Sequence, residues 1–252
     1  MSFVVAAESY DRFMGRYSTP LAPQMADLVG VARGQTAIDV GCGPGAFTGE
    51  LVRRLGPAAV AAVDPSEQFV AATRERYPGV TVKRAAADSL PFPEASYDAA
   101  VAQLVVHFMS DPVAGLAEMK RVTRAGGVVA ACVWDHAGDR GPLNVFWDAA
   151  RQIDPELEDE SLLPGTRQGH LGELFVEAGL DQVEESVLTV EVEHPSFEDW
   201  WEPYTLGVGP AGKYLTGLDS GGQARVREQC REMLPSAPFV LSATAWASRG
   251  LA

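Results

Sequence analysis

Positive charge is in short supply in this chain. Lys and Arg together number 20 against 34 Asp and Glu, a formal net charge of −14, with a pI near 4.7. Such a surface repels nucleic-acid phosphates and anionic lipid, and no dense Lys/Arg run offers a local exception. Neither nucleic acid nor a membrane is expected as a partner. Cysteine is scarce as well: Cys42, Cys132 and Cys230 lie far apart, without a CxxC or a Cys/His pair at zinc spacing. That usage argues against a disulfide framework and a metal site, and fits a reduced, cytoplasmic compartment. No apolar run approaches the roughly 20 residues that span a bilayer. The opening stretch MSFVVAAESYDRF has neither the basic region nor the apolar length of a signal peptide. Also missing are a Ser/His/Asp set on a nucleophile elbow, an HExxH pair and a Walker lysine.

What is present is an ordinary globular composition, 46% apolar and 21% charged over 252 residues, enough for one large α/β unit with a core. Strand-like and helix-like runs alternate through the first half. Strands are expected at Thr36–Val40, Val60–Val63, Val80–Arg84, Tyr97–Gln103 and Val128–Trp134, with a turn at Ala125–Gly127. Helices are expected at Ala46–Leu55, Glu67–Tyr77 with Ser66 as its N-cap, and Val113–Val122. Repeated strand–helix–strand order implies right-handed crossovers and a parallel sheet covered on both faces. Later, Leu171–Ala178 reads as a helix, Gln182–Val192 as an alternating strand, Ser196–Leu206 as a helix rich in rings, Gln223–Leu234 as a charged helix and Phe239–Ala247 as a last strand. A glycine-rich stretch, 207–222, separates the last two helices. The expected organisation is one domain over 1–252. Its cofactor core would span 30–135, with acceptor-pocket or lid material at 136–180 and 194–236. Segment 1–29 would cover the site.

The most informative stretch is Ile38–Leu51, IDVGCGPGAFTGEL. Glycines after the first strand let a ligand approach the backbone, because no Cβ intervenes, and the following helix presents free N–H groups. The spacing is not the dinucleotide G-x-G-x-x-G, since the third glycine comes one residue early. Asp39 stands at the strand tip, where an acid suits a cation better than a pyrophosphate. About twenty residues on, Asp64 ends the second strand, where an acid can hold both ribose hydroxyls. Asp88 follows the third strand and, with the N–H of Ser89, can read an adenine edge. A glycine cradle and these acids, without a phosphate-binding lysine, suit a phosphate-free adenosine ligand with a positive centre. S-adenosylmethionine is such a ligand.

Taken in order, Asp39–Gly45, Val63-Asp64-Pro65-Ser66, Ala87-Asp88-Ser89-Leu90-Pro91-Phe92, Tyr97-Asp98 and Leu116–Gly127 resemble the class I S-adenosylmethionine-dependent methyltransferases. The likeness is to the type 11 group, which includes ubiquinone- and menaquinone-biosynthesis-like enzymes. The resemblance implies a Rossmann-like, seven-stranded, mostly parallel sheet with helices on both faces, an antiparallel last strand and a helical insertion. It also implies that Gly41, Cys42 and Gly43 run along the methionine part of the cofactor. Asp64 would hold the ribose with Pro65 against the adenine, Ala87, Asp88 and Ser89 would bind the adenine, and Gln103 would contact the methionyl portion. Tyr10, Arg16 and Tyr17 resemble groups that close over the cofactor.

The implied reaction is in-line methyl transfer to an O, N or C centre of a small-molecule acceptor, with S-adenosylhomocysteine as product and no metal. A base is needed only for an acceptor with a firmly held proton. His107, after the fourth strand, is the candidate base. Trp134, Asp135 and His136 can line the acceptor pocket, although a surface loop is the expectation for His136. Trp147, Trp200, Trp201 and Tyr204 suit either a lid or plain packing, packing being expected of each. Glu156–Glu160, in PELEDE, reads as a solvated loop. The competing readings are a non-catalytic S-adenosylmethionine-binding sensor or scaffold and an NAD-dependent oxidoreductase.

Overall fold

The computed structural model describes residues 7–252, so the first six residues of the expected covering segment 1–29 lie outside the described residues. Seven strands form one sheet: β1 (Ala37–Val40), β2 (Val60–Asp64), β3 (Thr81–Arg84), β4 (Tyr97–Gln103), β5 (Thr123–Trp134), β6 (Asp181–His194) and β7 (Phe239–Leu251). Their spatial order is β3-β2-β1-β4-β5-β7-β6. The first five strands run parallel, and β7 is antiparallel to both β5 and β6. The Rossmann-like reading therefore holds, including the reversed last strand. Strand order reverses between β1 and β4, and a crevice opens there beyond the carboxyl ends.

Apart from Asp39 in β1 and Asp98 in β4, the central strands read as largely apolar runs because both of their faces are covered. Ala37, Ala99, Val101 and Cys132 face one layer, where helix α2 (Arg16–Val29) and α3 (Ala46–Leu55) supply Leu21, Met25 and Leu51. Ile38, Val63, Ala100 and Val133 face the other, against Leu116 and Met119 of α5 (Pro112–Val122) and Leu171 and Phe175 of α7 (His170–Glu177). The Leu, Ile, Val, Met and Phe side chains among these each contribute about 1.5–3 kcal/mol on burial. Before α2 come a short helix, α1 (Ala7–Tyr10), and a π-helical turn at Asp11–Gly15. Helix α4 (Glu67–Arg76) follows β2, capped by Ser66 as expected, whose hydroxyl accepts from the N–H of Phe69.

A separate aromatic cluster holds the remaining helices over the crevice: α6 (Asn144–Ile153), α8 (Phe197–Trp201), α9 (Gly209–Gly217) and α10 (Ser220–Met233). Phe146 stacks on Tyr204 with ring centroids 4.6 Å apart and planes 9° apart.

Four expectations need correction. Ala125–Gly127 is not a separate turn but lies within β5. The single helix at Ser196–Leu206 is instead α8 followed by a tighter turn at Glu202–Leu206, where Pro203 lacks the N–H that would continue α-helical bonding. The glycine-rich stretch contains α9 and the start of α10, because packing against the cluster offsets the poor helix propensity of glycine. Within 136–180, α6 joins the aromatic cluster, but α7 lies against the sheet.

Candidate active site

The floor of the crevice is the turn after β1. The N–H groups of Gly41 and Cys42 both donate to the carbonyl of Val63, at 2.8 and 2.9 Å, which folds the chain back over β2. Gly41 has φ +75°, and a Cβ there would stand 2.5 Å from the Val105 side chain. Gly43 has φ +52°, but a Cβ there would meet nothing within 4 Å. It borders open space, where any side chain would occupy the crevice. From α4, Thr73 donates to the Gly43 carbonyl and Arg76 to that of Pro44, both at 2.9 Å.

Above this turn lies a cleft of about 300 Å³. Gly41, Gly43, Asp64 and Pro65 line one side, and Ala87 and Asp88 another. Tyr10 closes over it, its ring edge-on to Phe69 at 5.3 Å. Asp64 accepts from the N–H of Gly43 at 2.9 Å and of Ser66 at 2.8 Å. Burial raises its pKa, and those two hydrogen bonds pull the other way.

A recess of about 30 Å³ continues inward between Asp39, Gln103, Cys42 and Ser18. Asp39 is 1% exposed, and burial pushes its carboxyl up to about 7 against the hydrogen bond from Thr48 at 2.6 Å. Gln103 donates to the Ser18 carbonyl at 3.0 Å, while its own Oε1 and the Ser18 Oγ are buried without partners among the described residues. An acid, an orphaned carbonyl and a hydroxyl around one small space suit the ammonium of an amino-acid ligand. Burial raises the Cys42 thiol well above its ordinary value, so it stays protonated and is no nucleophile.

On the far side of Tyr10, Leu104 and Phe108, which line both spaces, sits a second pocket of about 40 Å³. Leu104, at the end of β4, holds φ +63°, a left-handed conformation that a branched side chain adopts only where its surroundings impose it. His107 lines this pocket from a short 3₁₀ turn after β4, with Trp134 from the end of β5, His136 just beyond it and Glu160 from a second 3₁₀ turn before α7. The surface-loop expectation for His136 is overturned: it is 4% exposed, and burial lowers its pKa to about 4. The solvated-loop reading of Glu156–Glu160 fails at its last two residues, since the Asp159 side chain is buried against Arg151. Glu160 is 3% exposed, accepts from the Trp147 indole at 3.0 Å, and has its pKa pushed up to about 7 by burial. Burial, then His136, holds the His107 pKa well below the ordinary value. The Nδ1 atoms of both histidines are buried without partners. Asp135 does not line the pocket; it accepts from Gly138 N–H at 2.8 Å and pairs with Arg140 at 2.6 Å.

Some expected site residues sit elsewhere. Arg16 reaches Asp199 at 2.9 Å and His194 at 3.0 Å, and the Tyr17 hydroxyl lies 3.2 Å from His194. Helix α2 turns both toward the end of β6, away from the cleft. Ser89 is absent from the cleft wall, its N–H bonded to the Ala86 carbonyl at 3.3 Å. Trp147, Trp200, Trp201 and Tyr204 belong to the aromatic cluster and not to the pocket wall.

Comparison with known proteins adds three findings. A family model described as a methyltransferase domain matches residues 38–131. An uncharacterized methyltransferase from Mycobacterium sp. (strain JLS) is 30% identical over 208 residues, 78% of this chain and 81% of that protein. Against the first three curated relatives it matches, this chain spans 34%, 63% and 34% of their lengths. Among solved structures, the YcgJ protein from Bacillus subtilis superposes with a TM-score of 0.60 at 17% identity, covering 92% of this chain and 97% of that one. A geranyl diphosphate C-methyltransferase from Streptomyces coelicolor A3(2), solved with Mg2+, geranyl diphosphate and S-adenosyl-L-homocysteine, gives 0.55 at 15% identity. That match covers 94% of this chain and 80% of the other. At these identities the superpositions establish the fold.

Proposed function

This chain belongs to the S-adenosylmethionine-dependent methyltransferases, and on that premise we propose that it methylates a small-molecule acceptor held in the pocket beyond Tyr10. The observation that carries this reading is the adjacency of two spaces across Tyr10, Leu104 and Phe108, one walled by acids and glycines, the other by His107, His136 and Glu160. Family membership removes the NAD-dependent oxidoreductase alternative.

The cofactor, when bound, supplies a methyl group on an electron-poor sulfonium. Asp64 accepts hydrogen bonds from the ribose hydroxyls through lone pairs left over by Gly43 and Ser66. Pro65, Ala87 and Asp88 flank the base. Asp39 and the free oxygen of Gln103 face the amino-acid end, and Gly43 leaves room for it. Tyr10, Leu104 and Phe108 form the partition at which donor and acceptor meet, and their apolar surfaces exclude water from the line of transfer. Burial, and then His136, keep His107 neutral, so it accepts a hydrogen bond from the acceptor's O–H or N–H. With a hydroxyl acceptor it serves as the base.

The test is transfer of a labelled methyl group to a panel of phenols, quinols and amines. Activity is expected with at least one. His107→Ala should lower turnover of a hydroxyl acceptor about 10²-fold or more and leave cofactor affinity unchanged. Tight cofactor binding without transfer to any acceptor would instead favour a sensor or scaffold.

A further inference from the structure

We propose that the acceptor is an amine, which enters the second pocket as an ammonium against the carboxylate of Glu160. The inference rests on the methyl-transfer reading above and adds the chemical class of the acceptor.

Among the described residues, Glu160 is a buried acid without a basic partner. Its neighbour Asp159 pairs with Arg151 and caps the N–H of Ser161. Among the described residues no ion pair reaches Glu160, whose side-chain bond is the one from Trp147. Nor does the pocket wall contain a Lys or Arg. A buried carboxylate without a cation is costly, and a ligand that brings one relieves that cost. Aromatic walls favour the same charge: Tyr10, Phe13, Phe108 and Trp134 line this space, and ring faces attract cations. Each of the two neutral histidines keeps one unprotonated ring nitrogen that can accept a hydrogen bond, and the Nδ1 atoms of both are buried without partners among the described residues. An ammonium offers several N–H donors and no acceptor, which complements a carboxylate and two imidazoles. A carboxylate or diphosphate acceptor would meet Glu160 with no compensating cation.

Glu160 also completes the proton balance. In a dry pocket, an ammonium–carboxylate pair relaxes toward a neutral amine and a carboxylic acid, because burial disfavours both charges. The nitrogen, freed of one proton to Glu160, uses its lone pair to form the new C–N bond as the C–S bond breaks and that electron pair stays on sulfur. The product is a methylated ammonium and a neutral thioether, and Glu160 returns its proton to solvent when the pocket opens.

The full chain loaded with S-adenosylhomocysteine is titrated by calorimetry with matched amines, alcohols and carboxylates on benzyl, phenethyl and hexyl skeletons. At least one amine should bind about tenfold or more tighter than its matched alcohol and carboxylate. Glu160→Gln keeps an oxygen for the Trp147 indole. It should weaken that amine about tenfold or more while leaving the alcohol and S-adenosylhomocysteine within about twofold. The proposal is overturned if an alcohol or carboxylate binds best, if no amine binds, or if Glu160→Gln retains the amine preference. The comparison within the wild-type protein stands even if that variant fails to fold. Failure of the methyl-transfer reading shows separately, as absence of S-adenosylhomocysteine binding or as amine bound but never methylated when S-adenosylmethionine is supplied.

Discussion

A single buried oxygen can make ligand binding depend on pH, and Asp39 is placed to do so. Its folded pKa, about 7, lies above the value of an exposed aspartate because burial disfavours the charge. The stability this group contributes is therefore full below its unfolded pKa and is lost as pH rises through about 7. A cation in the adjoining recess favours the carboxylate. Cofactor affinity should thus rise as pH goes from 5.5 to 7.5, with proton release, and level off above. Calorimetry in buffers of different ionisation enthalpy measures this, and Asp39→Asn should flatten the slope even though Glu160 titrates in the same range. An unchanged slope in the variant would remove Asp39 from the site. Gly43→Val places a branched side chain in open cleft space at a positive φ, so cofactor binding should vanish while the circular dichroism spectrum persists; retained binding would show that the turn does not touch the ligand. Asp39, Asp64 and the glycines were legible in the sequence because each sits at a strand end, where local spacing fixes position. His136 was named there as a pocket candidate, but its burial and that of Glu160 were not legible. Their burial comes from the aromatic cluster closing over them, and nothing near PELEDE announces that the side chains of its last two acids are buried.

Elements were legible in proportion to how much of their signal is local. Alternating apolar runs and the Ser66 cap identified β1 through β4 and their helices, because sheet burial and capping write themselves into adjacent residues. Helix α2 was not assigned from the sequence; it carries Pro20 and Pro23 in its interior, where local propensity opposes a helix, and its apolar face, Leu21 and Met25 included, is held by the sheet. Helix α9 was hidden in glycines for the same reason. Such elements depend on tertiary contacts, and the aromatic cluster should therefore bear a large share of stability. Phe146 is fully buried between Tyr204 and Trp147. Phe146→Ala should cost about 3–5 kcal/mol, read by urea denaturation. A loss below about 1 kcal/mol would mean that the cluster collapses around the missing ring.

At the scale of the whole molecule, the sheet and the aromatic cluster meet across the crevice, and the N-terminal segment spans both. Asp11 pairs with Arg76 of α4 on the sheet side, and Arg12 pairs with Glu202 of the cluster at 2.8 Å. Between these anchors and the cleft stands Tyr10, whose ring lines all three spaces of the site. The pairs are solvent-exposed, so each is worth only about 0–1 kcal/mol to folding. Their leverage lies in what they hold, the segment that carries Tyr10 over the cleft. The double variant Asp11→Ala/Arg12→Ala should therefore lower stability by less than about 2 kcal/mol. It should raise the cofactor dissociation rate about fivefold, the equivalent of about 1 kcal/mol of lost restraint. Stopped-flow displacement of bound S-adenosylhomocysteine measures the rate. If that rate is unchanged while Tyr10→Ala accelerates it, the Tyr10 ring alone retains the ligand and the ion pairs are incidental to it.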